Sequence, residues 1–383
     1  MEVVVLAGGK GLGMQKLTLG QSKLFVKIVG RPIVEWVLTN LYMAGLKRVV
    51  IVTDRPSLFE DITIRLGDKM MFDVRIQREE EIVGAIKEAG DAISKGALVV
   101  YGDTIVPYTA YRYILDVYRE RRQPVLLVVP EEDVSRYGAI YMDSYGYIEK
   151  FIEKPKAVDT SYVFGGIAIL NEGIVKLIES GKSLDESINS YIERGGRIYA
   201  AIWSDWWIDI DYPIDILKAI YYLLNDLREK RISGKAKIAS TAVIEGPVVI
   251  EDNVEIDHYT VVKGPCYIGR NSFIGTHSFI RPYTDIEDGA TIGSYTEISW
   301  SLISSRVTIG RGSFIGFSVI GEEAIIEPEV KTNLLIREYS EDVMAKAMKV
   351  KARGYEYLKA GSVIASRTRV PMGTILRPGE ERL

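Results

Sequence analysis

Two hydrophobic periods divide this chain. Up to about residue 224, short apolar runs at 2–7, 48–52, 98–101 and 125–129 alternate with amphipathic stretches at 33–44 and 109–121. Near-continuous apolar strands separated by helices predict a parallel sheet buried on both faces, an α/β domain of the doubly wound type. Ligands of such sheets sit beyond the carboxyl ends of the strands, so the segments just after Ala7 and Tyr101 are the first places to look.

After residues 227–237 the rhythm changes. Positions 238, 244, 250, 256, 262, 268, 274, 280, 286, 292 and 298 are all Ile except Val262, eleven β-branched residues in six-residue phase. Four residues after each comes a small or slender one, such as Ala242, Val248, Val254, Thr260, Cys266, Ser272 and Ser278. A hexapeptide period with one large inward residue per repeat predicts a parallel β-helix, each triangular coil burying one such residue per side. The phase slips by one between Ile298 and Ile303 and again between Ile315 and Ile320. Residues 332–357, with a helix-like SEDVMAKAMKV, interrupt the repeat before Leu358, Ile364, Val370 and Leu376 resume it. The expected organisation is an α/β domain over 1–230 and a β-helix over 236–383.

Bulk properties narrow the functional classes. A net charge of −4 with 26% charged residues gives no basic footprint for nucleic acid. No apolar run is long enough to span a membrane, and no leader pattern opens the chain, so the cytoplasm is the expected compartment. With Cys266 the sole cysteine, an intramolecular disulfide is impossible.

Candidate chemistry lies in the first half. LAGGKGLG, residues 6–13, follows an apolar strand but fits neither the P-loop nor the dinucleotide fingerprint, and by itself is explained equally well by a tight turn. In VVYGDTIV, Asp103 lies one glycine beyond an apolar strand, where a carboxylate either caps a turn or, with a second carboxylate, holds Mg2+ whose shell phosphate oxygens complete. A partner is available among Asp205, Asp209 and Asp211 of WSDWWIDIDYPIDIL, whose tryptophans read as core and wall. Residues 135–155 alternate like a β-ribbon ending in Glu153-Lys154-Pro155, where neighbouring Glu and Lys face opposite sides unless the chain turns.

Together these segments resemble the sugar-1-phosphate nucleotidylyltransferases, the NDP-sugar pyrophosphorylases. That family opens with a strand and LAGGxGTRLxPLT followed by PK, then a GTA-type turn, a GD after the central strand, an RYG ribbon ending in EKP, and WxDIGTP before a helix. The resemblance covers essentially residues 1–224, and the hexapeptide half looks like the left-handed β-helix that many members carry, some as an acetyltransferase domain. It implies attack by a sugar-1-phosphate oxygen on the α-phosphate of a nucleoside triphosphate, with pyrophosphate leaving, so positioning and charge neutralisation dominate. It implies that Leu6, Ala7, Gly8, Gly9 and Gly11 approach the nucleotide and that Gly84 packs beside the base. Asp103 and Asp209 would hold Mg2+, and Lys23 would neutralise charge on the transferring phosphate. Glu153 would accept sugar hydroxyls, Lys154 would grip the sugar phosphate, and Gly138 and Gly166 would let the sugar lie against backbone.

Departures from the pattern fall in four segments. The loop arginine that clamps the leaving phosphates is Gly13 here, and its threonine is Leu12. PKP reads Ser22-Lys23-Leu24, GTA reads Gly84-Ala85-Ile86, and WxDIGTP continues after Asp209 as Ile210-Asp211-Tyr212-Pro213. Lys10 and Lys16 lie near the missing arginine in sequence. Three readings follow: an active enzyme; a weak or inactive relative that binds nucleotide and regulates or scaffolds an active paralogue; and a bifunctional enzyme that also acetylates an amino sugar. A Gly13→Arg variant is expected to separate the first two. The third lacks a well-placed histidine base, since His258 and His277 lie early in the repeat and the resemblance puts Arg311 at the corresponding position. The implied partners are the two small-molecule substrates and further copies of the chain, or an active paralogue, through the β-helix.

Overall fold

The computed structural model describes all residues except 10, 80, 158, 335, 337–342, 344–345, 353–354 and 383, and the side chains of all described residues except 12, 16, 81, 351–352 and 355. Two compact units emerge. One comprises Met1–Lys10 and Ile33–Asp209, the other Gly11–Pro32 and Ile210–Leu383.

In the first unit the strand Glu2–Leu6 lies between Arg48–Thr53 and Leu98–Tyr101, parallel to both, and Met71–Ile76 continues the parallel sheet beyond Arg48–Thr53. Val3, Val4 and Val5 are wholly buried, as an apolar strand covered on both faces requires. Helices Ile33–Met43 and Tyr108–Arg121 occupy the expected stretches. The sheet is mixed rather than parallel throughout, because Tyr162–Ile169 runs antiparallel beside Leu98–Tyr101 and carries Val125–Pro130 on its far side. Val125–Pro130 therefore joins the sheet through a strand that the apolar-run pattern did not separate from the ribbon before it. A break in the register of Tyr162–Ile169 falls between Phe164 and Ala168, at the pair Gly165 and Gly166. The expected ribbon is present as Gly138–Met142 paired with Ile148–Glu153.

The second unit is built on a left-handed parallel β-helix of three sheets with eight, seven and seven strands. Its first coil opens at Arg231–Ile232, which pairs with Val249 and Ile250. Ile268 pairs with Ile286 eighteen residues on, whereas Ile286 pairs with Ile303 and Ile303 with Ile320, each seventeen on. The slips in hexapeptide phase are thus two coils shortened by one residue. Ile268, Ile274, Ile280, Ile286, Ile292 and Ile298 are all fully buried, forming the axial core. The small inward residues between them reach the next coil: Ser272 Oγ donates to the Glu287 carbonyl at 3.1 Å and Ser278 Oγ to that of Gly293 at 3.1 Å. Buried hydroxyls are satisfied this way, so they cost little inside an otherwise apolar column.

The interruption contains a hairpin, Met348–Ala352 with Tyr355–Lys359. Leu358 belongs to it, opposite Lys349, and is not an inward coil position; the repeat resumes at Val363–Ile364, paired with Val319 and Ile320. Residues 340–342 and 344–345 of the helix-like segment at 340–350 lie outside the described residues, and its end, Met348 to Val350, is strand.

One sheet of the β-helix is covered on its outer face. Tyr267, Asp285, Leu302 and Val319 point away from the axis yet are buried, beneath the helix Pro213–Asn225 and the short strand Lys27–Ile28 of the same unit. Tyr221 of that helix stacks on Trp300, 5.3 Å between ring centres, and Trp300 on Phe317 at 5.3 Å. Trp300 and Phe317 occupy corner positions with left-handed φ of 47° and 51°, so the turn geometry stacks rings from successive coils.

Candidate active site

The acidic residues of the first unit are gathered by strand ends. Asp103 follows Tyr101, the last residue of its strand, and the intervening Gly102 N–H donates to the Leu6 carbonyl at 2.9 Å, tying this turn to the glycine loop's strand. The chain then forms Thr104–Ile105, antiparallel to Ile208–Asp209, which sets Asp209 opposite Thr104. Thr104 Oγ1 donates to Asp209 Oδ1 at 3.3 Å. Gly166, with φ of 70°, leaves room here: a Cβ would stand 2.8 Å from Thr104 Oγ1. Gly138 pairs with Glu153, and a Cβ on it would lie 2.2 Å from the Phe151 ring and 3.0 Å from Glu153 Oε2.

Tyr101 reports that these groups converge. Burial raises its phenol well above the usual range, and the negative charges of Glu153, Asp103 and Asp209 add to the effect. Three carboxylates distant in sequence therefore act on one hydroxyl. Sequence reasoning missed Tyr101; the only signal was its place at the polar end of LVVY.

Lys154 has φ of 42° and its N–H donates to the Tyr137 carbonyl at 3.0 Å, so the chain turns just after Glu153 and strict strand alternation ends there. At the nucleotide loop Leu6 and Ala7 are buried, and the Ala7 N–H donates to the Val52 carbonyl at 2.8 Å. Gly9 has φ of 138° with open space around it. A Cβ on Gly8 would meet Gln77 Oε1 at 1.9 Å, so Gly8 holds the loop close to Gln77. Gly84 lies in the helix Glu81–Glu88, where a Cβ would meet the Glu79 carbonyl oxygen at 2.1 Å, giving that glycine a local packing requirement as well. Trp207 is wall, as expected: its Nε1 donates to the Gly165 carbonyl at 3.0 Å and its ring meets Tyr137 edge-on.

The lysine loop belongs to the second unit. Gly11, with φ of 52°, lies beside the Lys23 side chain, a Cβ there standing 3.4 Å from Lys23 Cγ. Lys23 opens the 3-10 turn Lys23–Phe25, capped by Ser22, whose Oγ accepts from the Leu24 N–H at 3.4 Å. Its Nζ donates to Asp211 Oδ1 at 2.6 Å. Asp211 stands where the motif has glycine, so one departure from the pattern engages the lysine that the pattern makes essential. Gly13 is part of the same change: a Cβ on it would lie 2.4 Å from the Asp211 carbonyl oxygen and 3.2 Å from the Tyr212 ring. A Gly13→Arg substitution therefore cannot be read as the simple return of a clamp, because it also displaces this backbone. Backbone occupies the first atom of the new side chain. Asp215, buried at the helix start, accepts from the Tyr212 N–H at 2.9 Å and holds this backbone in place.

Residues 2–226 match the family model described as Nucleotidyl transferase, more than half the chain. The chain belongs to that family. Residues 247–282 match the model for bacterial transferase hexapeptide, six repeats. Family members similar to it include a mannose-1-phosphate guanylyltransferase catalytic subunit beta of Drosophila pseudoobscura pseudoobscura, 28% identical over 345 residues, covering 86% of this chain and 90% of that protein. Another is a bifunctional sugar-1-phosphate nucleotidylyltransferase/acetyltransferase of Sulfurisphaera tokodaii, 25% identical over 392 residues, covering 99% and 93%. Among solved structures, a putative glucose-1-phosphate thymidylyltransferase from Bacillus anthracis superposes with a TM-score of 0.53 at 21% identity, covering 60% of this chain and 98% of that one, a likeness of fold.

Within this family the two histidines have structural neighbours. His277 is stacked between Tyr259 and Tyr295, at 4.9 and 5.0 Å, and His258 Nδ1 shares a 2.8 Å hydrogen bond with Thr241 Oγ1.

Proposed function

We propose that this protein joins a sugar-1-phosphate to the α-phosphate of a nucleoside triphosphate, releasing pyrophosphate, with mannose-1-phosphate and GTP as the first pair to test. The observation that carries the reading is the pairing of Ile208–Asp209 with Thr104–Ile105, which sets Asp209 opposite the residue that follows Asp103 at a strand end. Asp103 and Asp209 fit Mg2+, an ion held by one or two carboxylates with phosphate and water completing the octahedron. Such an ion would neutralise phosphate charge. Thr104 orients Asp209, Gly138 and Gly166 keep the surface by Glu153 and Thr104 free of side chains, and Lys23 carries the charge-neutralising role.

A second reading, a weakly active member that binds nucleotide and regulates, is favoured by the Lys23–Asp211 pair and by Gly13. Purified protein with Mg2+, a triphosphate panel and several sugar-1-phosphates decides between them. Pyrophosphate release well above an Asp103→Ala control supports the enzyme. Absence of release across the panel, with nucleotide still raising the Tm, supports the regulator.

A further inference from the structure

The sequence TLGQSKLFVKIVGRP, residues 18–32, carries Lys23 into a short turn, and residues far along the β-helix hold that turn. Val29 N–H donates to Asp285 Oδ2 at 2.7 Å, and Gly30 N–H donates to Glu287 Oε1 at 2.8 Å. Lys27 Nζ reaches Asp288 Oδ2 at 2.8 Å. Val29 and Gly30 both have left-handed φ, 51° and 76°, so two successive N–H groups are turned toward one surface. Gly30 also lies against Tyr267, whose hydroxyl would be 2.3 Å from a Cβ at that position.

The two receiving carboxyls are unusual. Asp285, on the strand Thr284–Ile286, and Glu287, just after it, flank the inward Ile286, so both point outward, yet both are fully buried. Their remaining oxygens, Asp285 Oδ1 and Glu287 Oε2, are buried and have no hydrogen-bond partner among the described residues. Two neighbouring buried carboxyls, each with an oxygen that no donor satisfies, cannot both stay ionised at low cost; a proton held between them resolves the conflict. Burial, then mutual repulsion, raises Asp285 well above its ordinary range, and burial raises Glu287 to about 7 against the pull of the Gly30 N–H and Lys27. The other ionisable groups facing the pair are Asp288, Tyr267, with Glu251 beside it, and the Cys266 thiol.

We infer that Asp285 and Glu287 are positioning residues for Lys23: a proton-sharing pair on the β-helix that fixes the turn at 27–30 and through it the lysine loop. The assignment of Lys23 to phosphate chemistry rests on the proposed function; the holding of its loop does not. The sign of the pH dependence follows from the raised acids. Each loses a proton less readily when the turn is docked than when it is free, so docking is strongest in acid and weakens as pH rises from the ordinary carboxyl range through about 7.

Two double variants test this in the full chain. Asp285→Asn with Glu287→Gln keeps acceptor oxygens but cannot titrate; Asp285→Ala with Glu287→Ala removes the acceptors. Hydrogen exchange of the Val29 and Gly30 amides, corrected for intrinsic rate, is expected to quicken about tenfold or more in the wild type between pH 5.5 and 8. It should stay slow across that range in the Asn/Gln protein and be fast throughout in the Ala/Ala protein. Amine labelling of Lys23, read by mass spectrometry without substrate, should be faster in Ala/Ala than in wild type or Asn/Gln. Pyrophosphate release should show kcat falling about tenfold to a hundredfold in Ala/Ala, with KM little changed and recovery in Asn/Gln. Wild-type amide protection that ignores pH overturns the shared proton, and Lys23 labelling identical in all three proteins overturns the positioning. If no protein turns over substrate, the proposed function fails while exchange and labelling still decide the docking. Normal turnover by a folded Ala/Ala protein defeats the catalytic relevance of the pair.

Discussion

The acidic residues and the lysine loop have diverged differently from the pattern they share. In the first unit Asp103, Thr104, Asp209, Glu153, Gly138 and Gly166 form a mutually consistent set, each small residue making space beside a polar one. In the second unit the arginine position is glycine, the motif glycine is Asp211, and Asp211 holds Lys23 at 2.6 Å. These changes are not independent losses. A side chain at Gly13 and the present course of the chain at Asp211 and Tyr212 exclude each other, so these positions are sterically coupled.

Substitutions on either side should separate intact from rebuilt machinery. The largest effect is expected from Asp103→Ala or Asp209→Ala, which should lower pyrophosphate release by about 10²-fold to 10³-fold with little change in Tm; a smaller loss would mean that the acidic set is not the active half. Next, Gly13→Arg alone should destabilise the protein by about 1–3 kcal/mol through overlap with the Asp211 carbonyl, read by denaturant titration, and should not raise activity. Combined with Asp211→Gly and Tyr212→Thr, it should regain stability and raise turnover; a gain from Gly13→Arg alone would break the idea of a concerted change. Thr104→Val, which removes the hydroxyl donor to Asp209, should cost about tenfold in kcat. The smallest effect on stability is expected for Asp211→Asn. Asp211 is about one-third exposed, and such pairs contribute about 0.2–1 kcal/mol, so its Tm should barely move while Lys23 becomes more reactive to amine labelling.

Much of this molecule was legible in the chain. Hexapeptide phase announced the β-helix because each coil buries the same kind of residue at the same place, and even the two shortened coils were visible as phase slips. Strand-then-turn patterning singled out Asp103; the tryptophan-rich segment before a Pro-led helix offered Asp205, Asp209 and Asp211, and only the family resemblance chose Asp209 among them. Periodicity was silent where residues obey the local rule yet meet a distant partner. Asp285 and Glu287 read as ordinary outward positions on a coil, and Tyr101 as the end of a strand. The antiparallel Tyr162–Ile169 also escaped, since an apolar run does not state its direction.

The sequence by itself determined the two architectures and the types of group available for chemistry, because hydrophobic period and glycine placement act over a few residues. Tertiary structure decided which groups meet. It set Asp211 on Lys23, closed Gly13 to any side chain, and buried two outward carboxyls beneath the turn that follows the lysine. Those outcomes depend on contacts between residues separated by 188 to 257 positions, which no local pattern encodes.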